Sequence, residues 1–180
     1  MFKHSIRRLV EEKRFVEALY FGSVELASNP TAELHLDLGL ACCAAIKPIA
    51  EVERNLALEQ AGNEPQANWN TEGLIVGRDT GLVNEGLHHL LQATHLNPQI
   101  RFPTSLEPIT IEVIQDLHDY LRQEFHGFRS FKLGYSLGTA ALAAVVLLYR
   151  LQGQAPEKIE FLSATRLKVA DELLAKLSSS

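Results

Sequence analysis

The chain has seven histidines, whose imidazole groups can bind metal ions, and one of them lies in a Glu-x-x-His motif. Glu85 and His88 match the carboxylate and imidazole pair of helical di-iron proteins, and His95 lies on the same predicted helix. A di-iron bundle requires two such motifs and two further inward-facing glutamates. The chain has no second Glu-x-x-His. We therefore expect no metal site, with His88, His89 and His95 on a partly exposed helix surface.

The sequence from Gly134 to Gly138 matches the Gly-x-Ser-x-Gly pattern of a hydrolase nucleophile elbow. That elbow needs a strand before the serine, and an acid and then a histidine after it. No histidine follows His126, and the segment before Gly134 includes a strongly helical stretch. Small residues on a tightly packed helix explain the pattern better, so we predict no catalytic residue and no enzymatic activity.

The two cysteines, Cys42 and Cys43, are adjacent in a helical segment, where neighbouring side chains point about 100° apart. They suit small core positions better than a disulfide, and their spacing is not that of zinc ligands. The chain also has no glycine-rich phosphate loop. We therefore predict no cofactor and, from reduced cysteines, a cytoplasmic location.

The overall charge argues against a nucleic-acid partner. The 180 residues include 17 basic and 22 acidic side chains, for a net charge of −5. A surface that binds phosphates needs clustered Lys and Arg, which this balance does not provide. The composition, 46% apolar and 22% charged, is typical of a single compact globular domain.

The stretch from Leu133 to Tyr149 has no charged side chain and includes Gly134-x-x-x-Gly138, a spacing found where membrane helices pair. A membrane span needs about 20 apolar residues. This run is shorter and includes several small or polar residues, which favours a buried core helix. The alternative is a membrane-associated scaffold that uses this helix as an anchor or an oligomer face.

Apolar residues recur at helical spacing through most of the chain, which predicts an all-α fold. Within residues 1–100 we predict three antiparallel helical hairpins. The first turns at Lys13-Arg14 and ends at Pro30, the second breaks at Lys47-Pro48, and the third turns at residues 78–81 and ends at Pro98.

The two Asn-Pro dipeptides, at residues 29–30 and 97–98, lie about two 34-residue periods apart, as in a helical repeat. After Pro98 the period is lost. We expect residues 101–180 to form three helices that pack on the hairpins or cap them.

Residues 1–100 resemble the tetratricopeptide repeat, a helical hairpin of about 34 residues. In that family a large and a small residue lie four apart on the first helix, alanine opens the second, and proline ends the unit. Trp69 and Gly73 match the first pair, Ala18 and Pro30 match the alanine and the proline, and Gly86 stands where the third alanine would be. The resemblance implies hairpins stacked into an array.

Members of this family usually bind a partner on the inner surface that the first helices form. By register, the resemblance implies a surface of Lys3, Arg7, Val10, Asp37, Ala41, Ala44, Thr71, Ile75 and Arg78. The Lys and Asn clamp of chaperone-binding members is absent, because the second unit has Asp37 and alanines instead. Such a groove would admit an apolar side chain or a helix, unless the alanines only let neighbouring helices approach closely.

The function expected from the sequence is a protein-interaction module, an adaptor or small chaperone that holds a peptide or helix of another protein. The membrane-associated scaffold is the second hypothesis, and self-association into a homo-oligomer is compatible with both. A metal-binding bundle or an enzyme is the least favoured, because no set of catalytic residues converges.

Overall fold

A computed structural model describes the backbone of residues 5–61, 65–122 and 137–179, and the side chains of residues 5–46, 81–121 and 138–179. These residues form helices and no strand, which confirms the predicted all-α class. The helices are α1 (Ile6–Glu11), α2 (Phe15–Ser28), α3 (Ala32–Ala61), α4 (Pro65–Leu96), α5 (Glu107–Arg122), α6 (Leu137–Leu151) and α7 (Ala164–Ser178), with 3₁₀ turns at Thr104–Leu106 and Pro156–Lys158. Most helices that follow one another in the chain also pack together.

The first predicted hairpin is present, and its turn has a defined geometry. Lys13 has a left-handed backbone conformation, with a φ of 61°. The amides of Lys13 and Arg14 donate to the carbonyls of Val10 and Leu9, at 2.9 and 2.8 Å. These two bonds satisfy carbonyls at the end of α1 in the pattern usually made with glycine. The chain then turns back, and α2 packs against α1.

The breaks predicted for the second and third hairpins are wrong. α3 continues through Lys47-Pro48 and α4 through residues 78–81, so two helices of 30 and 32 residues replace four short ones. A proline inside a helix costs roughly 3 kcal/mol and a glycine about 1 kcal/mol. α3 and α4 make the most extensive helix–helix contact of the described residues, and such packing can offset these local costs. Within residues 5–61 and 65–100, one short and one long helical pair therefore replace the three predicted hairpins.

α3 and α4 approach each other closely where Gly39 faces Gly86. A Cβ atom added at Gly86 would lie 2.9 Å from Cys43 Sγ and 3.1 Å from the Gly39 carbonyl oxygen. A Cβ atom added at Gly39 would lie 2.6 Å from Leu90 Cγ and 3.1 Å from the Gly86 carbonyl oxygen. These separations are too short for a side chain at either position. The two glycines therefore allow the backbones to touch.

α6 is the central helix of the C-terminal part. Every residue from 140 to 148 is buried, and the helix packs against α4, α5 and α7. Among the described helices, none combines the length and the hydrophobicity that a membrane span requires. Residues 133–136 of the sequence-based membrane candidate lie outside the described residues.

The last helices differ from the sequence pattern in two places. Apolar spacing predicts that Ile111 faces inward from α5, but it is 54% exposed, and Val113 is buried instead. Proline is favoured in the first turn of a helix, which predicts that the final helix begins at Pro156, but this residue starts only a 3₁₀ turn. α7 begins at Ala164, because the Ser163 hydroxyl accepts a hydrogen bond from the Arg166 amide and caps the helix.

The close contact of Gly39 and Gly86 predicts how substitutions in α4 change the free energy of unfolding. We expect Gly86→Ala to lower the free energy of unfolding by about 1–3 kcal/mol, because the added methyl group overpacks the contact between α3 and α4. Gly81→Ala is the matched control on the same helix, since a Cβ atom there meets nothing within 4 Å. It should instead raise stability by up to about 1 kcal/mol through helix propensity. Urea unfolding followed by circular dichroism measures both, and equal effects would contradict the close contact.

Candidate functional site

α2 exposes a row of large apolar side chains. Val16, Tyr20 and Val24 are 59%, 68% and 64% exposed. They follow one another at intervals of four residues, so they lie along one side of the helix and shift by only about 40° at each step. We call these three residues the apolar stripe.

The apolar stripe is exposed because α2 packs through its small residues. Ala18 and Gly22 are the buried residues of α2. A Cβ atom at Gly22 would collide with the side chain of Leu38, so α2 lies directly on α3 at this point. Val16 and Tyr20 belong to the apolar helical pattern of the sequence, but both face solvent. The spacing of Ala18 and Gly22, two small residues four apart, is the signal that could have identified the packed side.

A groove between α1 and α2 adjoins the apolar stripe and shares Val24 with it. Its volume is about 540 Å³. Its apolar lining comes from Ile6 and Leu9 on α1 and from Phe21 and Val24 on α2. An apolar side chain from another molecule would fit this lining. We call this feature the α1–α2 groove.

The charges along the α1–α2 groove are mainly acidic. Arg14, Glu17 and Glu25 are its charged lining residues. Arg14 forms ion pairs with Glu17 and Glu12, which raise the pKa of its guanidinium, so its charge is already balanced. Glu25 has no cationic partner among the described side chains. The groove therefore favours a cation on whatever it binds.

Five positions of the binding surface inferred from the repeat resemblance have described side chains, and four of these are buried. Val10, Asp37, Ala41 and Ala44 are buried, so they contact the protein interior and not a partner. The reason is that α1 and α4 both pack against α3, the helix that carries three of these residues. Of the remaining positions, Arg7 is partly exposed and Lys3 lies outside the described residues. The structure describes only the backbone of the last three, which lie in α4: Thr71, Ile75 and Arg78.

Arg7 and Asp37 form an ion pair between α1 and α3. Arg7 Nε and Nη2 donate to Asp37 Oδ1 at 3.2 and 3.0 Å. Burial raises the pKa of Asp37 from its ordinary 3.8 to about 6, although the nearby Arg7 guanidinium acts to lower it. The desolvation of the carboxylate thus outweighs the attraction of its partner. This pair joins α1 to the core and is not available to a ligand.

A cluster of metal-binding residue types lies beside the glycine contact of α3 and α4. Cys42, Glu85 and His89 each place one ligand atom within 4.8 Å of the other two. We call these three residues the ligand cluster. His89 Nε2 lies 3.9 Å from Glu85 Oε1, and His89 Nδ1 lies 3.0 Å from His35 Nδ1.

Burial shifts the pKa values of Cys42 and His89, two of the residues in the ligand cluster. It raises the pKa of the Cys42 thiol, and the nearby Glu85 carboxylate raises it further. It also lowers the pKa of His89 to about 4, with His35 and His88 adding to the shift, so this imidazole is neutral at pH 7. The sequence analysis missed this cluster because it paired Glu85 with His88, which is exposed. The signal that could have found it is the Glu85 and His89 spacing of four residues, which brings both side chains to one side of α4.

The Arg7–Asp37 pair makes a prediction about pH dependence. Because the folded state holds the Asp37 proton up to about pH 6 and an ordinary carboxyl loses it near 3.8, stability should fall as pH rises through this window. Relative to Asp37→Asn, which cannot ionise, the protein should lose on the order of 3 kcal/mol between pH 4 and 7. Urea unfolding of both proteins at several pH values measures this difference.

Arg7→Leu is the control for this measurement. Without the guanidinium the pKa of Asp37 should rise further, so the loss of stability should extend to higher pH. If the stability of wild type relative to Asp37→Asn stays constant or rises with pH, the assignment is contradicted.

Comparison of the chain with protein-family models, curated proteins and solved structures finds no match. The apolar stripe, the α1–α2 groove and the ligand cluster are therefore the features from which a function can be inferred.

Proposed function

We propose that this protein is an interaction module that holds a basic amphipathic helix of a partner protein. The partner helix would lie along the apolar stripe and insert a side chain into the α1–α2 groove. The observation that carries the proposal is the exposure of Val16, Tyr20 and Val24 on one side of α2.

The energetic support comes from the size of these side chains. Burying an exposed valine or tyrosine against another apolar surface gains roughly 1.5–3 kcal/mol per fully buried residue. Tyrosine is enriched at interaction hot spots, because it offers a large rigid surface and a hydroxyl group that can stay hydrated. A contact that covers the whole stripe would therefore offset part of the free-energy cost of association.

The shape supports a helix as the bound element. Amphipathic helices bind apolar grooves through residues spaced three or four apart. The stripe has the same four-residue spacing on α2, and the α1–α2 groove runs alongside it. Two helices with such matching rows can pack side by side over about three turns.

The charges support a basic partner. Glu17 and Glu25 line the groove, α2 has no basic residue, and the whole chain carries a net charge of −5. Lys or Arg residues at the edge of the partner's apolar side would meet these carboxylates. Charges at an interface rim act mainly on specificity and association rate. The sequence analysis predicted the same functional class, but the proposal moves the binding surface from buried positions to α2.

A pair of synthetic peptides tests the proposal. One is an amphipathic helix with leucines spaced four residues apart and lysines on both flanks, and the other has glutamate in place of each lysine. We expect fluorescence anisotropy to show that the lysine peptide binds at least about tenfold more tightly. Tyr20→Ser and Val24→Ser should each weaken its binding by about tenfold, because each removes roughly 1–2 kcal/mol of apolar contact.

Ile111→Ser is the matched control, since Ile111 is a similarly exposed apolar residue on a different helix. It should leave peptide binding unchanged, and circular dichroism should show that all three variants remain helical. Equal binding of the two peptides, or an equal loss with Ile111→Ser, would refute the proposal. A dimer in sedimentation equilibrium that Tyr20→Ser dissociates would also refute it, because a second copy would then be the occupant of the stripe.

A further inference from the structure

We propose that Cys42, Glu85 and His89 form a binding site for a zinc-class divalent ion between α3 and α4. The three residues supply a sulfur, an oxygen and a nitrogen ligand atom within 4.8 Å of one another. This site is separate from the apolar stripe, and it does not depend on the proposed function.

The backbone contact of the two helices explains how these residues meet. Gly39 and Gly86 face each other across the contact. Cys42 lies three residues after Gly39, while Glu85 directly precedes Gly86 and His89 follows it by three. Residues three or four apart lie on the same side of a helix. Cys42 therefore lies on the side of Gly39, and His89 on the side of Gly86. Glu85 joins His89 because it lies four residues before it. The close approach of the backbones therefore brings ligands from both helices within reach of one ion.

The distances require only small adjustments to bind an ion. Zinc lies about 2.3 Å from a cysteine sulfur and about 2.0–2.2 Å from a histidine nitrogen or carboxylate oxygen, so its ligand atoms lie roughly 3.3–3.8 Å apart. His89 Nε2 and Glu85 Oε1 are already 3.9 Å apart. Glu85 is 59% exposed and can change its side-chain conformation freely, whereas Cys42 and His89 are held by their surroundings. Side-chain movements of about an ångström would complete the coordination.

His35 holds the ring of His89 in place from the side opposite the ion. Its Nδ1 lies 3.0 Å from His89 Nδ1, and their ring centroids are 5.2 Å apart. If His89 binds the ion through Nε2, its Nδ1–H can donate to His35 Nδ1. Metal-bound histidines almost always donate their other ring N–H to such a partner. His35 is therefore a positioning residue for the site.

The ligand types indicate which ion the site binds, and the exposure of Glu85 indicates how that ion reaches it. A mixed set of thiolate, imidazole and carboxylate suits zinc, whereas calcium and magnesium prefer oxygen ligands alone. Binding converts the Cys42 thiol to a zinc-bound thiolate, and its proton passes to solvent. Three protein ligands leave the fourth position of a tetrahedral ion to water. Glu85, which is exposed, provides the side from which the ion enters.

Cobalt is a direct spectroscopic probe of this site, because a cobalt–thiolate bond absorbs strongly in the near ultraviolet. The full chain, treated with a chelator to remove metal, is titrated with Co²⁺ and then with Zn²⁺. We expect the absorption to saturate at one equivalent of Co²⁺ and to disappear as Zn²⁺ displaces it. A titration without the thiolate absorption would overturn the proposal.

Neighbouring residues provide matched controls for the ligands. Cys42→Ala should abolish the thiolate absorption, while Cys43→Ala, at the adjacent buried cysteine, should retain it. His89→Gln should abolish stoichiometric binding, whereas His88→Gln at the exposed neighbour should not. His35→Gln should weaken binding by about 10–100-fold, as expected for a residue that orients a ligand.

Absorption that persists in Cys42→Ala and is lost in Cys43→Ala would overturn the assignment. So would equal effects of His88→Gln and His89→Gln. If circular dichroism shows that Cys42→Ala does not fold, the wild-type titration and the two histidine variants still decide the question. The spectra thus test the site without requiring any knowledge of the partner.

Discussion

The rest of the structure depends on the contact between Gly39 and Gly86. The missing side chains let α3 and α4 approach until each glycine's carbonyl oxygen lies 3.1 Å from where the other's Cβ atom would be. At such a distance the dispersion contacts of the neighbouring side chains are dense, and packing of this kind holds two long helices in one register. α2 then packs on α3, and α6 packs on α4. The pair is thus the support on which the other helices are arranged.

The same contact explains why polar groups lie inside an apolar region. Asp37 and Cys42 are buried on α3, and His89 lies on α4, which packs against it. Burying such groups costs free energy unless a partner compensates for the lost water. An ion pair with Arg7 partly compensates the desolvation of Asp37. A hydrogen bond between the Nδ1 atoms of His35 and His89 does the same for His89. The side of the contact that holds Cys42 and Glu85 is where an ion would compensate the remaining polar atoms.

α2 has a different role, which follows from the small residues that it buries. Because Ala18 and Gly22 occupy the packed side, α2 contacts the core closely, while the apolar stripe on the opposite side stays exposed. This exposed apolar row is the feature on which the proposed interaction with a partner helix rests. The molecule thus combines a tightly packed interior, in which the spacing of α3 and α4 determines which side chains meet, with an outer helix, α2, that exposes apolar side chains.

The amino-acid sequence alone determined the all-α class, the turn at Lys13-Arg14 and the end of α2 before Pro30, because these follow from apolar periodicity and local backbone chemistry. Only the tertiary structure decided that α3 continues through Pro48, that Tyr20 faces solvent, and that His89 accompanies Glu85. Local patterns predict where a helix can form. They do not state which of its sides is covered, or whether packing offsets an unfavourable residue, because both depend on helices distant in the chain.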